Sequence, residues 1–252
     1  MNPFVCGAGG VLSADIAVHD HERELSFYSS ILATGDDPLW RDDLMNNLGE
    51  PVIGLGVRTA EYDFLPLQWM PHFQVADVAE SVKRAIGLGG KELMHSQADD
   101  GTSQWAVLAD QDGAAFGLIP VVTQDPENAQ QNMRRGCISG LSLAVPDALQ
   151  SRKFYEQVIG WSGKPIESRE ADEHSTKIEM FIDDENSAAE ICQYRNEKNI
   201  PSVWLIHLPV DNLAESLQRV ADSGGEVIKE CEAGHAVVSD PIGVYLALEA
   251  GS

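Results

Sequence analysis

Val75-Ala76-Asp77-Val78-Ala79-Glu80-Ser81-Val82 returns 135 residues later as Val210-Asp211-Asn212-Leu213-Ala214-Glu215-Ser216-Leu217. In both copies an Asx residue suits a helix N-cap, and a Glu three positions on completes a capping-box variant. Both run on to a Gly-Gly pair, Gly89-Gly90 and Gly224-Gly225, where glycine supplies the left-handed helix end. Each then continues into an Ala-Val-x-x-Asp strand that turns at glycine: Ala106 to Asp110 with Gly113, and Ala236 to Asp240 with Gly243. Further upstream, Val18-His19-Asp20 followed by Phe27-Tyr28 reappears as Val145-Pro146-Asp147 followed by Phe154-Tyr155, 127 residues on. The chain is a duplicated unit with small differences in its loops.

At 252 residues, a repeat of about half the length means two domains of ordinary size, and 43% apolar content can fill their cores. Forty acidic against 17 basic side chains leave a net charge of −23. That charge repels nucleic acid and anionic membrane. Cys6, Cys137, Cys192 and Cys231 show neither CxxC pairing nor framework spacing, so reduced thiols are expected. No basic leader precedes an apolar run, and no apolar stretch reaches the ~18 residues of a membrane helix. A cytoplasmic protein, monomer or homodimer, is the expectation.

Each half reads as two copies of strand, helix and further strands. Val11 to Val18 has the alternation of a strand, and Asp20 caps a helix carrying Leu25, Tyr28, Ile31 and Leu32 at helical spacing. Strands are expected at 52–57, 72–75, 105–108 and 115–119, then at 141–145 and 203–210, with helices from Asp77, Asp147 and Asn212. Thr123 to Gly136 lacks periodicity and reads as a linker. The fold class is therefore α+β: two tandem domains, 1–122 and 137–252, joined by 123–136.

Four successive β-α-β-β-β modules, with Asp then Phe-Tyr at the first helix and Gly-Gly after the next, resemble tandem domains of the vicinal oxygen chelate superfamily. That group includes glyoxalase I, extradiol dioxygenases and bleomycin-resistance proteins. Pro71-His72-Phe73-Gln74-Val75 and Asp112-Gly113-Ala114-Ala115-Phe116-Gly117-Leu118 are similar to its paired-domain, glyoxalase-like branch, often labelled hydroxylases. The resemblance implies that two modules curl into one barrel-like sheet per domain. It also implies, in metal-using members, a metal held by His, Gln or Glu on inward-facing strand positions. The first ligand would fall seven residues before the helix cap, at Ser13, Met70, Gly140 and Leu205, and the last four residues after the turn glycine, at Gly117 and Ala247. None of these suits a divalent cation. No metal and no cofactor are expected.

Side chains two apart on a strand share a face. Five residues before the caps stand Asp15 and His72 in the first half, Ser142 and His207 in the second, and Glu190 adds a carboxylate to the latter. Asp15 and His72 form either an acid/base pair or a structural histidine with its hydrogen-bond partner. The full charge of a neighbouring Asp15 is expected to outweigh desolvation, which puts the His72 pKa above its ordinary value. Trp69 and Trp204, equivalent in the repeat, are either stacking walls for a ligand or core residues. Trp40 and Phe64 stand in loops that could line the same cavity. His19, His21, His95, His174 and His235 are expected at the surface.

These residues lead to one expectation: binding of a small apolar or aromatic molecule without the usual metal site, preferentially in the first domain. The alternative is a lyase, isomerase or oxygenase using Asp15/His72 acid-base chemistry or an unusual metal site. A scaffold with filled cavities is a third possibility.

Overall fold

Alternation in Val11–Val18 produces the central strand β1 of the first half, buried along its whole length in the computed structural model. The described residues are 5–33, 40–41 (backbone only), 53–122, 137–166, 176–193, 200–231 and 234–251. The linker expected at 123–136 and His174 lie outside them. After β1 come α1 (His21–Leu32), β2 (Trp40–Arg41), β3 (Ile53–Val57), β4 (Met70–Val75), α2 (Val78–Gly87), β5 (Lys91–Gln97), β6 (Ser103–Ala109) and β7 (Ala115–Pro120). The second half holds β8 (Gly140–Val145), α3 (Ala148–Val158), β9 (Ser162–Pro165), β10 (Thr176–Phe181) and β11 (Ser187–Gln193), then β12 (Trp204–Val210), α4 (Leu213–Asp222), β13 (Glu226–Cys231), β14 (His235–Ser239) and β15 (Tyr245–Ala250).

All four expected caps form. The side chains of Asp20, Asp77, Asp147 and Asn212 each accept a backbone N–H from the first turn of their helix, an arrangement that contributes about 1 kcal/mol apiece. Each half builds its own sheet, in the order β2-β3-β1-β4-β7-β6-β5 for the first and β13-β14-β15-β12-β8-β11-β10-β9 for the second. The sheets are curved but not closed. Within each, the two modules meet through one antiparallel pair, β1 with β4 and β8 with β12.

One face of each sheet carries Ile16, Phe73, Phe116, Leu143, Ile191, Trp204 and Leu248, which join the helices in a single apolar core running through both halves. Helices pair across the boundary, α1 with α4 and α2 with α3. At its centre Phe73 makes edge contacts with Tyr155, Trp161 and Trp204, with centroids 4.9–6.5 Å apart. Trp161 also donates its indole N–H to the Gly9 carbonyl at 2.7 Å, again between halves.

Two equivalent relays cross this boundary in opposite directions. Trp69 donates to the Tyr28 hydroxyl (3.2 Å), which donates to Asp240 Oδ2 (3.1 Å). Trp204 donates to the Tyr155 hydroxyl (3.2 Å), which donates to Asp110 Oδ2 (3.0 Å). The other carboxylate oxygen of each Asp ties the following turn, accepting from Asp112 and Ala114 N–H or from Ile242 and Val244 N–H. The copies differ in one neighbour. Glu24 lies fully buried against Asp240, whereas Ser151 holds the equivalent place in α3. Burial, then repulsion from Asp240, raises the Glu24 pKa to about 8; Arg23 opposes this and Asp20 adds to it.

A carboxyl whose folded pKa lies above its unfolded value of 4.5 leaves stability intact below that value and removes it as pH rises towards 8. The wild-type urea midpoint should therefore fall between pH 5 and 8.5, and Glu24→Gln should flatten that slope. Parallel pH profiles for the two proteins would show that Glu24 ionises freely.

Candidate functional site

The face of each curved sheet turned away from the helices is called its cup, and strand parity decides what enters it. Trp69, Phe73 and Val75 point into the core, so Met70, His72 and Gln74 point into the first cup. Likewise Leu205 and His207 enter the second, with Ser142 from β8, Glu190 from β11, His235 from β14 and Glu249 from β15.

In the first cup His72 Nε2 lies 3.3 Å from Asp15 Oδ2, and both side chains are only 1–2% exposed. Ser13 Oγ lies 3.1 Å from Nδ1. Because a carboxylate only accepts, Nε2 carries the proton towards Asp15, and Nδ1 accepts from the serine. Burial lowers the His72 pKa, outweighing the opposing pull of Asp15. This reverses the expected direction: where water is excluded from the whole pair, the cost of charging the ring exceeds what the neighbouring carboxylate returns.

Close packing holds this histidine in place. β4 and β7 run parallel with His72 beside Gly117, and a Cβ on Gly117 would come within 2.5 Å of His72 Cδ2. The imidazole thus fills the space of the side chain that would supply the last ligand in metal-using relatives. Ser13 is committed to His72, and Met70 packs with Leu65, Val107 and Ala115. Gly140, Leu205 and Ala247 stand at the matching places in the second cup. These donors do not fit a divalent ion. Among the described residues, no three His, Cys, Asp or Glu side chains gather where they could share one.

The second cup is built differently. His207 Nε2 lies 2.8 Å from Ser142 Oγ, and Nδ1 lies 3.3 Å from Glu249 Oε2. Its side chain is 15% exposed and that of Glu249 33%. The hydrogen bond from His207 is the main reason the Glu249 pKa is held low, with Ser139 adding to it. His235 places its ring 5.7 Å from that of His207, and burial, the neighbouring His207 charge and Lys177 keep its pKa down. Half-buried His235 therefore lines the second cup beside His207 and is not the surface residue expected. Glu190 sits beside Ser142 in the β8–β11 register. Leu205, Val203 and Val237, with Tyr245 against them, form an apolar wall in the same cup.

Trp69 and Trp204 are fully buried in the core and reach neither cup, so the core alternative holds for both. The repeat alone left both alternatives open, because equivalence between copies does not specify the face. Phe64 is 57% exposed on a loop. Trp40 begins the short strand β2, and its side chain lies outside the described residues. His19 is exposed as expected, but His21 reaches the Leu55 carbonyl at 2.8 Å and His95 is bonded to Ser103. Glu249 was missed because its spacing matches no family ligand position; its period-two relation to Ala247 was the available signal.

Gly117→Ala should destabilise the protein by about 1–3 kcal/mol through overpacking against His72. Gly140→Ala, whose Cβ would lie 3.8 Å from His207, should be tolerated. Urea unfolding compares them, and equal costs would mean that His72 moves aside freely.

Comparison with known proteins places both halves in one family. Residues 13–119 match the glyoxalase-like domain, and residues 138–248 match the glyoxalase/bleomycin resistance protein/dioxygenase superfamily. "Putative glyoxylase CFP32" of Mycobacterium tuberculosis (strain CDC 1551 / Oshkosh) is 21% identical, over 93% of this chain and 92% of the relative. The 2,3-dioxygenase LapB from Pseudomonas sp. KL28 superposes with a TM-score of 0.54 at 14% identity, covering 98% of this chain and 93% of the other. The Mn(II)-bound glyoxalase from Novosphingobium aromaticivorans gives 0.54 at 14% identity, covering 98% and 83%. With both repeats matched and the paired sheets shared, the chain belongs to the vicinal oxygen chelate superfamily as a tandem of two glyoxalase-like domains.

Proposed function

We propose that the protein binds a small, partly apolar or aromatic molecule in the second cup without the usual metal site. The observation that carries this reading is the contrast between the two equivalent histidines. His72 is sealed beneath its neighbours, while His207 is partly open beside an apolar wall. A planar apolar group would lie on Ile200, Ile228 and Tyr245, which pack over buried Val203, Leu205 and Val237, and its polar end would meet His207, Ser142 and Glu249. Such a division between apolar surface and a few convergent polar groups is typical of small-molecule sites. It shifts the proposed site from the first domain, where Asp15 and His72 serve to hold the sheet together, to Ser142, Glu190 and His207 in the second. Aromatic ligands are the first candidates, since the structural relatives include a catechol 2,3-dioxygenase and a homoprotocatechuate 2,3-dioxygenase in complex with HPCA.

Metal analysis of the purified protein should find less than stoichiometric iron, manganese or zinc. One tightly held ion per chain would overturn the metal-independent reading. A thermal-shift panel of catechols and phenolic acids should contain a stabilising compound; at a hundredfold excess over Kd the gain is about 2.7 kcal/mol. His207→Ala should abolish that shift. A compound whose effect survives His207→Ala but is lost in variants of the first cup would move the site.

A further inference from the structure

The contacts of His207 have a chemical consequence beyond binding. Glu249 accepts, so the neutral ring must carry its proton on Nδ1, 3.3 Å away. Nε2 is then left with its lone pair towards the Ser142 hydroxyl at 2.8 Å. A hydroxyl, an imidazole that accepts its proton and a carboxylate that fixes the ring's tautomer are the three parts of an activated nucleophile. We propose that Ser142, His207 and Glu249 form a nucleophilic acyl-transfer site for small esters or thioesters with an apolar acyl or leaving group. This rests on the reading of the second cup as the ligand site.

Partly buried Ile200, Ile228 and Tyr245, packed on buried Val203, Leu205 and Val237, lie on the same face of the sheet and supply the apolar surface for such a group. The serine in the first cup has no such opportunity. Ser13 and His72 are sealed, with Asp15 on the far ring nitrogen.

In the forward step the Ser142 Oγ–H proton passes to Nε2 as Oγ bonds to the acyl carbon, and Glu249 balances the imidazolium. The bond from acyl carbon to the leaving oxygen or sulfur then breaks, and the leaving group takes the proton from Nε2. Water, deprotonated by Nε2, attacks the acyl-serine. The Oγ–carbon bond breaks, Oγ recovers the proton, and a carboxylic acid is released.

The test treats the whole protein with a fluorophosphonate probe and with p-nitrophenyl acetate, followed by intact mass and peptide mapping. One adduct on Ser142 is expected. It should vanish in Ser142→Ala and form at least about a hundredfold more slowly in His207→Gln. Ser103→Ala, which removes the partner of His95 on the edge strand, should label like wild type. Ser142→Cys, close to serine in size, keeps the assay informative if the alanine variant unfolds, and its acetyl group should move to the thiol. Absence of an adduct from the wild-type protein, or acylation at a histidine or another serine, overturns the proposal. Phenolic-acid binding measured on the same samples separates the two readings. Binding without acylation removes only the nucleophile, whereas loss of both removes the cup as a ligand site.

Discussion

The fold depends on a hydrogen-bond relay that the duplication made twice and crossed between halves. Each tyrosine follows the first helix cap of its own half but donates to the turn aspartate of the other. Burying a tyrosine hydroxyl, an indole N–H and a carboxylate without partners would cost several kcal/mol. Only the docked arrangement satisfies all three, so the two halves are held in one register. The same aspartates tie the turns into β7 and β15 through their other oxygen, and those strands carry Gly117 and Ala247 into the two cups. The geometry of each cup is thereby coupled to the interface behind it.

From this common frame the two cups have diverged by a few residues. Gly117 gives the imidazole of His72 room to lie flat on β7, where Asp15 and Ser13 close over it. In the second cup Gly140 leaves the ring of His207 at ordinary contact distance, and Glu249 reaches it from the neighbouring strand β15. The same histidine is thus sealed between Asp15 and Ser13 in one half and partly exposed between Ser142 and Glu249 in the other. Solvent access makes the difference: burial keeps His72 uncharged, while Glu249 stays ionised through its bond to His207.

The asymmetry extends to the relay. Glu24 adds a second carboxyl beside Asp240, where the other copy has Ser151 beside the Asp110 relay. Two carboxyls in one dry place cannot both ionise cheaply. One side of the interface is therefore sensitive to pH in a way its twin is not.

Much of this was legible in the chain alone. The repeat, the four Asx caps and the strands from Val11 to Val18 and from Leu141 to Val145 follow from local pattern, because caps and strand parity act within a few residues, and the matching offsets of Asp15 and His72 from their caps put both on one face. The equivalence of His72 and His207 was legible too, but their different roles were not. Exposure depends on what packs over a strand from distant parts of the chain. The places of Trp69 and Trp204 in the core, the lowered pKa of His72, and the entry of His235 and Glu249 into the second cup were decided by tertiary structure. So was the crossing of Tyr28 to Asp240 and Tyr155 to Asp110, since contacts across 212 and 45 residues leave no periodic trace in the sequence and arise only when two curved sheets bury their helices against each other.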